Sequence, residues 1–441
     1  MRPEKLLARS QTIYLILVGV SLSLLPVFGQ SSSATESSLT VSEARRRAFE
    51  RNWDLLAAKS DVDIATAQRF VAREIPNPTL SLGSSKINFD HHPNSTASGN
   101  GLWDRSYDTV VAINQLIEIG GKRRARKDSA IAGLRGAEAR LADARRLLEA
   151  GVTQAYVSVL FAVEKQKTLM ESAMSLRKEA DIAAIRQRAG DISTSDKSQI
   201  EIAAERLKLD ADAAATDATT ARTALEVLLG EKQSTGTIEL ADTLESLTTS
   251  GTHEMRDNIA AANRPDIIAA ESARTKAKAD LRLQKAMRIP DPTFSLQYEH
   301  QPSDQPSTVG IGISFPLPFW NLNRGNIHAA QAALDQAGAA AQKAWALASA
   351  DLGNAERAYD TTSTRWQHYR DELLPKSRQI RDSVAFAYEK GGTSLVDLLS
   401  AERTDNDTRL ATAQAAADTA VALANLHAAL NQSQHSTPSK P

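Results

Sequence analysis

The apolar residues of this chain follow two periods, one after the other, and the same succession occurs twice. From Leu39 to about Glu74 the apolar positions recur at helical intervals, and Pro76 ends the pattern. The period then falls to two residues, as where Phe294 and Leu296 alternate with polar neighbours. This succession predicts a helix followed by strands that each have one apolar and one polar face.

Each copy contains two alternating segments, separated by a loop that is rich in glycine, serine, asparagine and proline. The segments run about 8 to 11 residues, which is the length of a tilted transmembrane β-strand. Four strands with a shared apolar face are therefore expected. Their apolar positions are Leu80 and Leu82, then Val111, Ile113 and Ile117, then Phe294, Leu296 and Tyr298, and finally Val309, Ile311, Ile313 and Phe315.

A long helical hairpin follows each pair of strands. Between Gly121 and Ala189 there is no proline and little glycine, so a helix on the order of 100 Å is predicted. In the second copy Pro375 lies inside the corresponding helix and is expected to kink it. The predicted helices are Gly121–Ala189 with a return from Asp196 to Leu229, and Asn326–Lys390 with a return from Leu395 to Leu430.

Short motifs recur as well, at a spacing of about 200 to 214 residues. The motif Ile75-Pro76-Asn77-Pro78 returns as Ile289-Pro290-Asp291-Pro292, and Gly190-Asp191-Ile192-Ser193 returns as Gly391-Gly392-Thr393-Ser394. A repeat this long indicates one architecture built twice and set side by side in a pseudosymmetric body, rather than a solenoid. We expect a first structural repeat at 39–232, a second at 253–431, and a disordered tail at 432–441.

The N-terminus has the pattern of an export signal. Basic residues at Arg2, Lys5 and Arg9 precede a short apolar stretch from Ile13 to Leu25. We predict a signal peptide at 1–29, cleaved before Gln30, and a polar linker at 30–38. The alternative is a membrane anchor, but the stretch is shorter than the roughly 20 residues that a spanning helix needs. No other segment is expected to cross a bilayer as a helix.

Composition excludes several classes of function. The net charge of −1 gives no general attraction to nucleic acid, and the absence of cysteine excludes disulfides, thiolate chemistry and a lipidated N-terminal cysteine. No phosphate loop, dinucleotide fingerprint or nucleophile elbow is present, so no catalytic or cofactor-binding residue is predicted. His91, His92 and the segment His253-Glu254-Met255 are too sparse for a metal site.

The strands and helices both require neighbours that one chain does not supply. Four strands cannot close a barrel, and an open edge in lipid leaves backbone groups without hydrogen bonds. A helical hairpin of this length also needs partners along its buried face. Several chains are therefore expected to share one barrel.

Four motifs resemble those of the TolC family of outer-membrane efflux channels, and within it the outer-membrane subunit of cobalt–zinc–cadmium-type efflux systems. The resemblance covers roughly Leu39 to Asn431. The motifs are Ile75-Pro76-Asn77-Pro78, the run from Gln115 to Arg123, the run from Pro316 to Ile327, and the run from Tyr388 to Leu399.

The resemblance implies a mainly α fold with a β-barrel portion, built from two tandem repeats of helix, β-hairpin and long helical hairpin. A homotrimer would form a 12-strand β-barrel in the outer membrane, continued by an α-helical barrel in the periplasm. Such a chain would be a passive exit duct for heavy-metal cations, coupled to a periplasmic adaptor and an inner-membrane resistance–nodulation–division-type pump. The alternatives are an exit channel for drug efflux or type I protein secretion, and a soluble periplasmic coiled-coil scaffold.

The two glycine-containing turns would form the periplasmic tip, where an adaptor docks and the channel opens. The alternative is that they are ordinary helix-ending turns. Asp196 and Asp397 would either stabilise a helix N-terminus or line the narrow tip as a ring of carboxylates. The candidate residues are Arg188, Gly190, Ser193, Asp196, Lys390, Gly391, Gly392, Ser394 and Asp397.

A second candidate region is the membrane interface. Lys122, Arg123 and Arg124 open a long helix, where the helix dipole opposes positive charge, so compensation by outer-membrane lipid phosphates is expected. The alternative is a solvated basic face. Phe319 and Trp320 would belong to an interfacial aromatic girdle, or else pack at the junction of strand and helix.

Overall fold

The computed structural model describes residues 38–85, 108–248, 263–301 and 307–431. The predicted signal peptide 1–29, most of the linker 30–38 and the tail 432–441 lie outside the described residues. His91, His92 and His253-Glu254-Met255 also lie outside them.

The first repeat contains two helices, a β-hairpin and a long helical hairpin, and a five-residue helix α5 follows it. The strands have six and eight residues, at or below the expected length. The elements are α1 Val41–Arg51, α2 Trp53–Val71, β1 Thr79–Ser84, β2 Thr109–Leu116, α3 Lys122–Ala189, α4 Thr194–Leu228 and α5 Leu244–Thr248.

The second repeat also runs from helix to β-hairpin to long helical hairpin, so the prediction of one architecture built twice is confirmed. Its long helix contains a π-helical turn, Tyr369–Leu373. The elements are α6 Pro265–Ala286, β3 Thr293–His300, β4 Thr308–Ser314, α7 Arg324–His368, α8 Leu374–Glu389 and α9 Leu395–Ala429.

The helical pattern predicted from Leu39 to about Glu74 is confirmed, and it is divided between the two helices α1 and α2. The helix breaks at Asn52, whose backbone is extended (φ −60, ψ 129). The Asn52 side chain accepts a hydrogen bond from the Leu55 amide at 3.0 Å and donates one to the Leu228 carbonyl at 3.0 Å. Asn52 therefore caps α2 and at the same time binds the end of the return helix α4.

The four strands form one antiparallel sheet in the order β1-β2-β3-β4. The hairpins β1-β2 and β3-β4 belong to the two repeats, and β2 pairs with β3, where Asn114 lies opposite Ser295. The repeats are therefore joined side by side through a continuous ladder, as a pseudosymmetric body requires.

Small and apolar side chains form the helical core. In α3 the residues Val152, Tyr156, Val157 and Val159 are fully buried, and α9 buries a series of alanines against the same helix. This stretch makes α3 long and apolar enough to cross a membrane by length and composition, contrary to our expectation for the chain after residue 29. Within this stretch Val152, Tyr156, Val157 and Val159 pack against α1, α4 and α9, so packing within the chain accounts for these four apolar residues.

Pro375 interrupts its helix as predicted, and the interruption takes the form of the π-helical turn that precedes it. The Leu374 amide binds the Tyr369 carbonyl, five residues back. Proline has no amide hydrogen, and its ring collides with the carbonyl four residues back in a regular helix. A wider turn just before Pro375 displaces that carbonyl. The corresponding part of α3 has no proline and stays α-helical.

Candidate functional sites

One face of the sheet is apolar and uncovered. Leu80, Ile113, Leu296 and Ile311 lie in one row across all four strands, and they are 64%, 51%, 54% and 89% exposed. The next row contains Leu82, Val111, Tyr298 and Val309. A continuous apolar face of this kind requires a non-aqueous neighbour.

The opposite face is mainly polar, although it includes Val110 and Ala112 of β2, and it has little side-chain bulk on β4. The Asn114 amide donates to the Ser81 hydroxyl at 3.0 Å. A Cβ at Gly310 would lie 2.9 Å from Gln297 Nε2, and one at Gly312 would lie 2.7 Å from Ser295 Oγ. These two glycines therefore leave room for the polar side chains of β3.

Both outer strands of the sheet have an open edge. Each of β1 and β4 pairs with a single strand among the described residues. Their outward backbone groups can pair with another strand.

Lys122, at the start of α3, does not face lipid as we expected. Its side chain is buried, and Nζ lies 2.7 Å from Asp291 Oδ1 and donates to the Ile289 carbonyl at 2.5 Å. Asp291 also accepts the Ile119 amide at 2.9 Å. The charge that opposes the helix dipole is therefore compensated by a carboxylate of the second repeat.

The neighbouring cations are exposed. Arg123 donates to the Arg73 carbonyl through Nε at 3.0 Å and Nη2 at 2.6 Å, which ties α3 to the end of α2. Arg124 is exposed. These two side chains can reach beyond the protein surface, whereas Lys122 cannot.

The aromatic residues between β4 and α7 face solvent. Trp320 is 95% exposed, and its ring meets that of Phe319 edge to face with centroids 6.0 Å apart. Within a single chain, Phe319 and Trp320 therefore do not pack at the junction of strand and helix, which was the alternative for these residues.

The first turn, residues 188–193, ends α3 and caps α4. Gly190 has φ +84, a left-handed conformation that favours glycine, and its amide binds the Gln187 carbonyl at 3.1 Å. The Asp196 amide donates to Ser193 Oγ at 3.0 Å, and the Ser193 amide donates to Asp196 Oδ2 at 3.3 Å. Ser193 and Asp196 therefore form a capping box, while Arg188 and Gly190 are exposed.

The second turn, residues 389–394, repeats this design. Gly391 has φ +76. Ser394 and Asp397 form the capping box, and Thr393 also donates to Asp397 at 2.9 Å. These hydroxyl and amide donors lower the pKa of Asp397 below its usual value. Lys390, Gly391 and Gly392 are exposed, so the second turn offers a free surface.

The structure brings the two turns together through Arg186 and Tyr388, which sequence analysis missed. The Arg186 guanidinium lies 5.3 Å from the Tyr388 ring centroid, and Nη1 donates to the Tyr388 carbonyl at 3.3 Å. Tyr388 is buried with Ala183, Ile200 and Leu398, so both hairpins contribute to one apolar cluster. Burial is the main cause of the raised pKa of Tyr388.

A second feature that sequence analysis missed is a buried polar group between α8 and α9. Ser377 donates to Asp405 at 2.8 Å, and Arg381 Nη1 lies 3.6 Å from the other oxygen of that carboxylate. Glu402 is buried nearby. Burial is the main cause of the raised pKa of Glu402; Arg381 opposes the shift, and Asp405 adds to it.

Glu402→Gln is expected to stabilise the protein at pH 7 but not at pH 4. A carboxyl whose folded pKa is raised loses stability as pH rises from its unfolded pKa to its folded pKa, so the charged form weakens the fold at neutral pH. Glutamine removes that charge. Thermal unfolding by circular dichroism should show the difference, with Glu201→Gln at the matching first-repeat position as control. An equal shift at both pH values would contradict the expectation.

Among the residues that the structure describes, no group of three histidine, aspartate or glutamate side chains is arranged to hold a metal ion.

The sequence of both repeats matches a known family. A family model described as outer membrane efflux protein matches residues 44–231 and 258–432, one stretch in each repeat. The chain belongs to the outer membrane efflux protein family. The predicted resemblance to TolC-like channels is confirmed, and so is the predicted fold class.

Named relatives cover nearly the whole chain. The cobalt-zinc-cadmium resistance protein CzcC of Cupriavidus metallidurans is 27% identical over 87% of each chain. The pyoverdine export outer membrane protein OpmQ of Pseudomonas putida is 23% identical over 92% of this chain and 96% of its own.

Solved structures share the fold at low identity. A structure of CusC superposes with a TM-score of 0.75 at 19% identity, covering 89% of this chain and 92% of that one. The outer membrane protein VceC of Vibrio cholerae gives a TM-score of 0.74 at 18% identity, covering 90% and 97%.

Proposed function

We propose that this chain is the outer-membrane exit duct of a tripartite efflux system that exports heavy-metal cations. The observation that carries the duct assignment is the four-stranded sheet with an uncovered apolar face and two open edges. In water such a sheet would aggregate, whereas in a membrane its edges must be closed by further strands. A soluble coiled-coil scaffold would not require a sheet with an exposed apolar face.

The closing strands come from two more copies of the chain. Three sheets of four strands give a 12-strand barrel, and the family supports the trimer. In that barrel the row through Ile113 faces lipid, and the row through Asn114 faces the lumen. Export to this membrane requires the proposed signal peptide at 1–29, cleaved before Gln30.

The two turns are the proposed adaptor-docking tip. Both are exposed, both are built on a left-handed glycine and a capping box, and Arg186 joins them. Asp196 and Asp397 already stabilise helix N-termini, and a ring of three such carboxylates would also favour cations in the lumen. The pump in the inner membrane supplies the energy, so the duct itself carries out no reaction.

Arg123, Arg124, Phe319 and Trp320 are the proposed contacts with the lipid interface. They are exposed at the ends of the strands, where aromatic and basic side chains are favoured. Lys122 is excluded from this set because Asp291 binds it.

Heavy-metal cations are the proposed cargo because the 27% identical relative is named a cobalt-zinc-cadmium resistance protein. An exit duct must release what it carries, so weak carboxylate contacts suit it better than a tight ligand cage. The 23% identical relative is named a pyoverdine export outer membrane protein, which supports pyoverdine as the second candidate cargo.

Deletion of the gene should lower tolerance to zinc, cadmium, cobalt, nickel, copper or silver several-fold more than tolerance to dyes and detergents. Growth inhibition by each compound would be measured in the deletion strain with and without the gene restored. A loss of tolerance restricted to organic compounds, or retention of a protein substrate in the cell, would show that the metal cargo is wrong while the duct stands.

A further inference from the structure

Inside one chain, the first repeat contacts the second through β2 and the start of α3. The equivalent surface of the second repeat, at the open edge of β4 ahead of α7, pairs with no other strand that the structure describes. Within the chain, β2 pairs with β3, and Lys122 at the start of α3 binds the Ile289-Pro290-Asp291 turn. We propose that β4 and α7 receive a second copy in the same way, with Arg324 binding Asn77 and the Ile75 carbonyl of the partner subunit. This proposal rests on the proposed trimer and specifies its interface.

The two hairpins fix the strand register of that interface. Thr79 lies opposite Asn114 in the first hairpin, and Thr293 lies opposite Ser314 in the second, so Asn114 corresponds to Ser314. Between the repeats, Asn114 lies opposite Ser295, whose counterpart in the first repeat is Ser81. Ser314 should therefore lie opposite Ser81 of the partner subunit.

This register keeps each face of the barrel continuous. It places Ile313 opposite Leu82 of the partner subunit, and both side chains belong to the apolar face. Ser314 and Ser81 both belong to the polar face. A slip by one residue would set Ile313 against Ser81 or Gly83 of the partner subunit, on the polar face, instead of against an apolar side chain.

The helix starts correspond through a shared backbone feature. Each helix is preceded by a residue in the left-handed conformation that makes no side-chain cap, Gly121 with φ +79 and Asn323 with φ +56. Lys122 and Arg324 are therefore equivalent first residues. Lys122 is buried in its ion pair, whereas Arg324 is exposed and forms no ion pair with any described residue.

The acceptors for Arg324 correspond to those that Lys122 uses. Asp291 and Ile289 are replaced in the first repeat by Asn77 and Ile75, which are exposed. The planar guanidinium can donate to the amide oxygen of Asn77 and to the Ile75 carbonyl together. Both acceptors are neutral, so the interface between subunits lacks the ion pair that joins the repeats within one chain.

The helix faces repeat the pattern. A Cβ at Gly136 of α3 would lie 3.5 Å from Ser272 Cβ of α6, whereas a Cβ at Gly338, the equivalent position of α7, would meet nothing within 4 Å. The counterpart of α6 in the first repeat is α2. We therefore expect α2 of the partner subunit to pack against the open face of α7 at Gly338.

Asn77→Asp should complete the missing ion pair and slow dissociation of the trimer by about tenfold, because the Arg324 guanidinium would then bind a carboxylate instead of a neutral amide oxygen. The trimer fraction would be followed on gels during heating of detergent extracts. In an Arg324→Ala background the same substitution should give no gain. Asn354→Asp makes the same chemical change on α7, away from Arg324, and serves as control.

An unchanged or faster dissociation of Asn77→Asp would overturn the Arg324 contact. The register is tested separately, since the chain has no cysteine. Ser81→Cys with Ser314→Cys should give a disulfide between subunits on mild oxidation, and Thr79→Cys with Ser314→Cys should not. Crosslinking only by the shifted pair would overturn the register while leaving the trimer intact. Absence of any trimer in the unaltered protein would overturn the proposed function itself.

Discussion

Ile113→Arg is expected to prevent assembly of the proposed trimer in the outer membrane. Ile113 lies inside the sheet, on β2, between Leu80 and Leu296 on the apolar face. An arginine on the lipid-facing side of a barrel costs about 2 to 4 kcal/mol near the bilayer centre. The trimer carries the substitution three times, so the total of about 6 to 12 kcal/mol is comparable to the whole stability of a typical domain. Membrane fractionation and gels of unheated samples would measure the loss.

Asn114→Arg is the matched control, because it adds the same side chain one residue further along the same strand. Asn114 lies on the polar face, beside Ser81, and an arginine there projects into the proposed lumen. Normal insertion and trimer formation are expected for this variant. If Asn114→Arg fails and Ile113→Arg inserts, the two faces are assigned the wrong way round. If both insert, the sheet does not contact lipid.

The faces of the strands could be predicted from sequence because alternation is a local property. The two-residue period alone predicts that Phe294, Leu296 and Tyr298 lie on the apolar face of the sheet, and the structure places them there. The pairing of β2 with β3 joins residues nearly two hundred positions apart. No local pattern encodes that pairing, and only the internal repeat indicated that the two hairpins are neighbours.

The junction shows where the same reasoning fails. The sequence places cations at the start of α3, where the helix dipole opposes them, so we expected a negative partner and proposed lipid phosphate. Asp291 supplies that partner to Lys122 from the second repeat. The motif that contains Asp291 was recognised as a repeat, but its carboxylate was not assigned a role, because a buried ion pair depends on how the two copies pack.

At the turns, sequence predicted the parts that are built locally. Serine followed three residues later by aspartate is a capping signal, and both capping boxes are present. The Arg186–Tyr388 contact joins two hairpins, so it required the tertiary structure. Pro375 signalled an interruption, but proline alone does not select a π-helical turn over a bend.

Gly391→Pro is expected to abolish export while leaving the trimer and its membrane insertion intact. Gly391 has φ +76, and proline is restricted to a φ near −65. The Gly391 amide also donates to the Tyr388 carbonyl at 3.0 Å, and proline has no hydrogen to donate. The strain of about 3 kcal/mol or more falls on the second turn and on the Tyr388 backbone that Arg186 binds. The sheet is remote in sequence from this turn, so assembly in the membrane should continue.

Gly392→Ala is the control for this turn. Its φ is not in the left-handed range, and a Cβ there would lie 3.5 Å from the Ala387 carbonyl, an ordinary contact. Metal tolerance, the trimer on unheated gels and crosslinking to the adaptor would be measured for both variants and for Gly190→Pro in the first turn. Loss of tolerance in Gly391→Pro with Gly392→Ala unaffected assigns the defect to the backbone of the second turn. Full metal tolerance in both proline variants would show that neither turn takes part in docking or opening. The left-handed glycines would then serve only to end their helices.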